Sequence, residues 1–291
     1  MARTGPSRVK PAVSVQNADL HCHSNQSDGV LEPRELVQRA HRNGVDLFSL
    51  TDHDLLSGLQ QAADEATGLG LRFVPGVEIS VTWGQQTVHV LGLNIDPVNA
   101  ALADGLAGIR SGRRERARQI AEQLEQAGIP GAFNGALAQA GNDQLISRTH
   151  FARHIVSVGK CQSVNEVFSR YLTEGRPGFV PHRWASLDDS LAWIAAAGGD
   201  AVLAHPGRYR MGQAALSVLI ERFKDCGGKG IEVVCGSHRP DQYASFASQA
   251  RRFGLRASRG SDFHAPGEGR VDLGGLPQLP DDLVPVWQDW Q

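Results

Sequence analysis

Short apolar runs rich in Val, Ile, Leu and Ala alternate along the chain with longer amphipathic stretches, which predicts strand, helix, strand, helix from residue 17 onward. Strands are expected over residues 18–23, 45–51, 72–80, 87–94, 201–204, 230–235 and 255–258. Helices are expected from Pro33 to Gly44, which suits a glycine just past the last turn, and over 56–69, 187–197, 214–226 and 240–253. The rhythm is that of an α/β protein with a parallel sheet, and about seven strands are enough to close a barrel. It breaks after Asp96-Pro97: residues 98–179 carry helical signals with little β-branched content, until Gly178-Phe179-Val180-Pro181 resumes extended structure. A barrel built from 17–97 and 180–275 is therefore expected, with 98–179 as an inserted helical subdomain. Residues 276–291, with Pro277, Pro280 and Pro285, read as an irregular C-terminal wrap. Residues 1–16 carry Arg3, Arg8 and Lys10 but no apolar segment of a signal peptide, and read as a mobile basic tail.

Composition narrows the class. With 291 residues, 41% hydrophobic and 21% charged, the chain has material for an ample core, and no apolar run is long enough to cross a bilayer. A net charge of -2 gives no global attraction to polyanions, so any such contact must come from local clustering. Cys22, Cys161, Cys226 and Cys235 are widely spaced without a C-x-x-C pair, which favours free thiols and a cytoplasmic setting over disulfides or structural zinc. Nothing in the pattern calls for a membrane or for an obligate protein partner.

The chemistry gathers where the apolar runs stop. His21-Cys22-His23 closes the first strand, and alternation points His21 and His23 one way and Cys22 the other. Asp28-Gly29 follows, then Thr51-Asp52-His53, Gly76-Val77-Glu78, Val88-His89-Val90, Ala204-His205-Pro206-Gly207 and Gly260-Ser261-Asp262-Phe263-His264. In a parallel α/β architecture the C-terminal strand ends converge on one face, so these distant residues can share one pocket. A lone histidine at a strand end is more often a hydrogen-bonded structural residue than a ligand, and His41, His154, His182 and His238 fit that description. Six histidines at successive strand ends, most beside a carboxylate, are a different matter. Such a set without cysteine suits manganese, magnesium, iron or zinc, and it is rich enough for more than one ion. Glu232, on a strand near the pocket, is expected to orient a ligand imidazole.

The insertion adds cations. Over residues 101–127, read as one helix, Arg113 falls in the centre of the apolar stripe, Arg116 about 60° to one side and Arg118 nearly opposite. Inward arginines want an anion, either a protein carboxylate or a substrate phosphate. Ser147-Arg148-Thr149-His150 at a helix start is both an ordinary N-cap and a ready anion-binding cap. Arg208 can meet phosphate at the barrel mouth or bridge into the rim, and Phe133, Phe151, Phe168, Tyr171, Phe179 and Trp184 are core residues or base-stacking platforms.

Taken together, H-x-H-x(4)-D-G, T-D-H, G-x-E, A-H-P-G-R and S-D-F-H over residues 17–265 resemble the PHP (polymerase and histidinol phosphatase) superfamily. S-R-T-H-F-A-R with the R-R-E-R-A-R helix is similar to its branch of 3',5'-nucleoside bisphosphate phosphatases and 5'-3' exoribonucleases. The resemblance implies a distorted (β/α)7 barrel holding three metal ions, manganese by family expectation. It places His21, His23, Glu78 and Asp262 on the first ion, Asp28, His53 and His264 on the second, and His89 and His205 on a third that Glu78 bridges. It further implies Arg116 and Arg148 on the 5'-phosphate; the helical wheel adds Arg113 as a candidate, and in the expected mechanism His53 or His264 helps the ester oxygen depart while Asp28 positions it. The expected substrate is a nucleotide phosphorylated at both 3' and 5' positions, or a short RNA. The rivals are a histidinol-phosphate monoesterase, which needs no second phosphate site, and a non-catalytic nucleotide-binding module.

Overall fold

The computed structural model describes residues 15–140 and 146–290. Most of the expected N-terminal tail lies outside them, but Val15 packs against the core and Gln16 N donates to Asp46 Oδ2 at 2.8 Å. The first half of the barrel runs β1 (Ala18–Asp19), α1 (Pro33–Arg42), β2 (Leu47–Leu50), α2 (Leu59–Leu69), β3 (Arg72–Trp83) and β4 (Gln86–Leu93). The helices α3 (Ala100–Ser111), α4 (Arg113–Gln126), α5 (Ala132–Gln139), α6 (Arg148–Ser157) and α7 (Val164–Val167) follow. The chain then returns through α8 (Leu187–Ala196), β5 (Asp200–Leu203), α9 (Gln213–Asp225), β6 (Gly230–Cys235), α10 (Pro240–Phe253) and β7 (Arg256–Gly260).

The seven strands lie side by side in chain order. Hydrogen bonds from Leu20 N to Arg259 O (3.1 Å), Asp262 N to His21 O (2.8 Å) and His23 N to Phe263 O (2.9 Å) join the first strand to the last, closing a distorted barrel. The sheet is not wholly parallel as the rhythm suggested, because β4 runs antiparallel to both β3 and β5. Only Gly84 and Gln85 separate β3 from β4, with Gly84 at φ 58°, and a two-residue turn cannot make the crossover that a parallel pair needs.

Alternation along the strands divides the core. Val77, Ile79, Val81, Leu203, Ile231, Val233 and Ala257 face outward against the helices. Leu47, Val74, Leu91, Leu93 and Val202 fill the barrel interior, which Val286, Trp287 and Trp290 of the C-terminal segment help to plug. The opposite end of the barrel is left to polar residues.

The 101–127 segment is two helices and not one. A side chain at Gly112 would place its Cβ 2.8 Å from the His182 ring, and here the chain breaks between α3 and α4. Leu102, Leu106 and Ile109 of α3 pack with the barrel, whereas Ala117, Ile120, Leu124, Phe151, Ile155, Val167 and Leu172 form a separate core. Among the described residues no helix is long and apolar enough to cross a membrane.

Candidate metal centre

His21 and His23 follow β1 on the interior side, and Cys22 packs outward, as alternation requires. Asp28 sits in the turn that returns the chain toward His23, where Gly29 N donates to Ser24 O at 2.9 Å. His53 lies just past β2, bridged to Glu78 of β3. His205 follows β5, and Asp262 and His264 follow β7. His89 differs from the expectation of a strand end. It is the fourth residue of β4, and reaches the pocket because that strand's antiparallel course starts at the end where the parallel strands finish. Among the described residues four non-glycines have positive φ, and three are here: Asp54 (52°), His205 (26°) and Asp262 (54°). Such conformations concentrate where function requires a side chain to be aimed.

All nine expected residues meet. His21 Nε2 is 3.3 Å from Glu78 Oε1 and 3.6 Å from Asp262 Oδ1, and His23 Nε2 is 3.3 Å from Glu78 Oε2 and 3.5 Å from Asp262 Oδ1. Asp28 Oδ1 is 3.7 Å from His53 Nε2 and 3.4 Å from His264 Nε2. Glu78 Oε1 is 2.8 Å from both His89 Nδ1 and His205 Nε2. Donor atoms from His23, Asp28, His53 and His264 lie within 4.8 Å of one another, as do those of His53, Glu78 and His89, and of His21, Glu78 and His205.

These atoms are short of partners within the protein. His23 Nδ1, Asp28 Oδ1, His205 Nδ1 and Asp262 Oδ1 are buried without a hydrogen bond, while His53 Nδ1 and Glu78 Oε2 lie 2.8 Å apart. Buried polar groups are nearly always satisfied, so a cluster of converging orphans fits divalent cations. Neighbouring groups fix the orientation of the donors. His21 Nδ1 faces Glu232 Oε1 at 3.0 Å and His264 Nδ1 faces Asp262 O at 2.9 Å, so each ring turns Nε2, with its lone pair, into the cluster. Glu232, expected to act in this way, also accepts from His205 N at 2.5 Å. Ser237 and Arg208 both donate to Asp262 Oδ2, leaving Oδ1 to the centre.

The electrostatics match. Burial opposes charge on Glu78, yet His89, His53 and His21 hold its carboxyl well below the ordinary range. Asp28 and Asp262 behave likewise beside their own histidines. Burial, with His264 and His53 adding to it, depresses His23 to about 3, and burial brings His89 to about 4, leaving both rings neutral as ligands must be. On His53 burial is outweighed by Glu78 and Asp28, and it is raised to about 9.

The arginines part company. Arg113 and Arg116 are both buried, as the helical wheel requires, but Arg113 is paired with the Asp54 carboxylate. This removes it from the substrate-binding candidates, because its partner is a protein carboxylate 59 residues away that periodicity could not reveal. Arg116 donates from Nε to Val180 O at 3.1 Å, Arg148 from an NH to Leu172 O at 3.3 Å, and among the described residues neither has a carboxylate in ion-pair contact. Burial, with the charges of Arg148 and Arg113 adding to it, lowers Arg116 to about 9; burial, Arg208 and Arg113 lower Arg148 to about 10. Both line a cavity of about 1350 Å³ that His89, His205, Asp262 and His264 also line. Phe168, Phe179 and Trp184 face it too, while Phe151 is fully buried and Phe133 and Tyr171 pack in the insertion's core. Sequence reasoning passed over Tyr209, whose hydroxyl accepts from His89 N at 3.0 Å and donates to Ala204 O at 2.6 Å; its place directly after His205-Pro206-Gly207-Arg208 was the available signal.

A barrel with a histidine and carboxylate cluster at one end, roofed by an arginine-bearing insertion, defines a metal-dependent hydrolase for anionic esters. The PHP domain model matches residues 19–232, and the chain belongs to this family. It is 53% identical over 275 residues to a 3',5'-nucleoside bisphosphate phosphatase of Chromobacterium violaceum, covering 94% of this chain and 96% of that one. It is 42% identical over 270 residues to a 5'-3' exoribonuclease of Haemophilus influenzae, covering 93% and 97%. A solved structure from Chromobacterium violaceum, named as an amidohydrolase with bound sulfate and no metal, superposes with a TM-score of 0.91 at 52% identity, covering 94% and 95%.

Proposed function

We propose that this chain hydrolyses the 3'-phosphate of nucleoside 3',5'-bisphosphates to release inorganic phosphate, and that the same chemistry releases 5'-mononucleotides from short 5'-phosphorylated RNA. The observation that carries the reading is the pair Arg116 and Arg148, two desolvated guanidiniums without a carboxylate partner among the described residues, on the wall of the cavity that holds the donor cluster. A second phosphate satisfies them, whereas a neutral amide or a simple monoester does not.

His21, His23, Glu78 and Asp262 would hold one ion, Asp28, His53 and His264 a second, and His89 and His205 a third shared through Glu78, with manganese the expected metal. Divalent ions so bound would polarise phosphoryl oxygens and acidify water. Arg116 and Arg148 would bind the 5'-phosphate and orient the nucleotide, so that its 3'-phosphate faces Asp28, His53 and His264. Holding the ester in that pose converts random encounter into a fixed approach. The helical insertion over residues 98–179 would act as the substrate cap on a barrel of 17–97 and 180–275. Four free cysteines are consistent with a cytoplasmic enzyme.

The test is phosphate release by manganese-replete protein from adenosine 3',5'-bisphosphate, the 3'- and 5'-monophosphates, and a short 5'-phosphorylated RNA, the RNA also being followed for mononucleotide products. The bisphosphate should be preferred, and Arg116→Ala should abolish the preference. Equal rates on every phosphomonoester would refute the second-phosphate clamp.

A further inference from the structure

Each arginine of the clamp shares its helix with a second arginine fastened to a loop of the metal centre. On α4, Arg113 lies one turn before Arg116 and pairs with Asp54, the residue after His53. Asp54 is held from other sides as well, since Arg110 donates to its carbonyl at 2.7 Å, and Ser80 donates to its carboxylate through N at 2.7 Å and Oγ at 2.9 Å. On α6, Arg153 grips Glu268 with two donors, Nε to Oε1 and NH2 to Oε2, both at 2.8 Å, four residues past His264. Its remaining arm donates to the carbonyl of Asp28 at 2.6 Å. Ser147 Oγ, capping the same helix, lies 3.2 Å from Asp28 Oδ2.

The insertion beyond α3 has its own core, so contacts across the seam decide where it rests on the barrel. Most arginine–carboxylate pairs among the described residues lie at the surface, where such pairs contribute little; in Arg239–Asp241, for example, both side chains are more than half exposed. Arg113 and Arg153 are 6% and 10% exposed; Arg153 makes three directed bonds to the segments that carry Asp28 and His264, and Arg113 joins the residue after His53 to Ser80 of β3, two residues past Glu78. We propose that Arg113 and Arg153 are positioning residues that set the distance between the arginine clamp and the metal centre, and so select substrates whose two phosphates are one ribose apart. This rests on the reading that Arg116 and Arg148 hold the second phosphate. The physical reason is stiffness. A helix transmits displacement at one turn to the next, and an error of about 1 Å in a bound ester can cost a hundredfold in rate.

The α6 arm gives the cleaner test, because removing Arg113 strands the buried Asp54 charge and threatens the fold. Metal-replete wild type, Arg148→Ala, Arg153→Gln, Glu268→Ala and the double variant Arg148→Ala/Arg153→Gln are assayed on adenosine 3',5'-bisphosphate and adenosine 3'-monophosphate. The quantity read is the ratio of kcat/KM for the two substrates. Arg153→Gln should lower that ratio about tenfold, chiefly through kcat of the bisphosphate, while turnover of the monophosphate is kept. Glu268→Ala should act in the same direction and less strongly, and as a partly exposed residue outside the seven strands it guards against misfolding of the first variant. In the Arg148→Ala background, Arg153→Gln should change the ratio no further, because its effect passes through Arg148. Equal losses on both substrates, or an undiminished effect in the double variant, overturn the inference and leave the clamp standing. An unchanged ratio in Arg148→Ala alone overturns the clamp reading itself.

Discussion

His21 Nδ1 lies 3.0 Å from Glu232 Oε1, with both side chains wholly buried, and this contact turns the other ring nitrogen toward Glu78 and Asp262. The carboxylate makes the imidazole a better donor, and its second oxygen fixes the backbone at His205. Glu232→Gln keeps the shape but halves the fit, since an amide offers one acceptor where two are used. The expected result is a ten- to hundredfold weaker metal affinity, roughly the range for lost partners of metal ligands, with activity recovered at high manganese. Titration of stripped protein with manganese, read by phosphate release, checks this; an unshifted midpoint would mean that Glu232 serves packing alone.

Metal binding should expel protons. His53 is raised to about 9 because Glu78 and Asp28 outweigh the effect of burial, so in the metal-free protein it is protonated at pH 7. His23 and His89, at about 3 and about 4, are already neutral and have no proton to give. A ligand imidazole must be neutral, and carboxylate neighbours raise His21 and His264 as well, so manganese affinity should climb as pH rises through the range in which His53 titrates. Calorimetric titration at pH 7.5 in two buffers of different ionisation enthalpy reads the protons released; identical heats would contradict the assignment of His53 as a ligand. The same raised value gives the metal-free fold a contribution that is complete below the unfolded value of about 6.5 and disappears as pH passes through about 9. Chelation should therefore lower the melting temperature more at pH 9 than at pH 6.

How much of this was readable beforehand depended on the range of the interaction. Strand alternation is a local rule, and it sufficed to put His21 and His23 on one side and Cys22 on the other. The helical wheel, also local, turned Arg113 and Arg116 inward and left Arg118 exposed. What no local rule supplies is a partner. Asp54 lies in the turn after β2, and only the closed barrel brings it to α4; hence Arg113 was grouped with Arg116 although their fates differ. The direction of β4 was recoverable, because Gly84-Gln85 is too short for a crossover, but apolar periodicity is the same in either direction and hid it. The close packing of the His182 ring on Gly112, where α3 gives way to α4, comes from seventy residues on and was invisible to a reading of 101–127 as one helix.

Gly29 makes a prediction about the second ligand group. A Cβ built there would lie 2.1 Å from His23 O and 2.6 Å from His23 C, and these are backbone atoms that cannot swing aside. Gly29→Ala must therefore push Asp28 and its turn away from His53 and His264, which now lie 3.7 and 3.4 Å from Asp28 Oδ1. Because the turn is at the rim, the barrel should still form, and the loss should fall on metal content and turnover. Gly68→Ala is the matched control: it sits in α2 with nothing within 4 Å of the added carbon, so it should be neutral or stabilise by up to about 1 kcal/mol through helix propensity. Elemental analysis of the two purified variants, with melting curves in excess chelator, separates the effects. Full metal content and wild-type turnover in Gly29→Ala would show that the turn can relax without disturbing Asp28, and would remove the steric reason offered for glycine at this position.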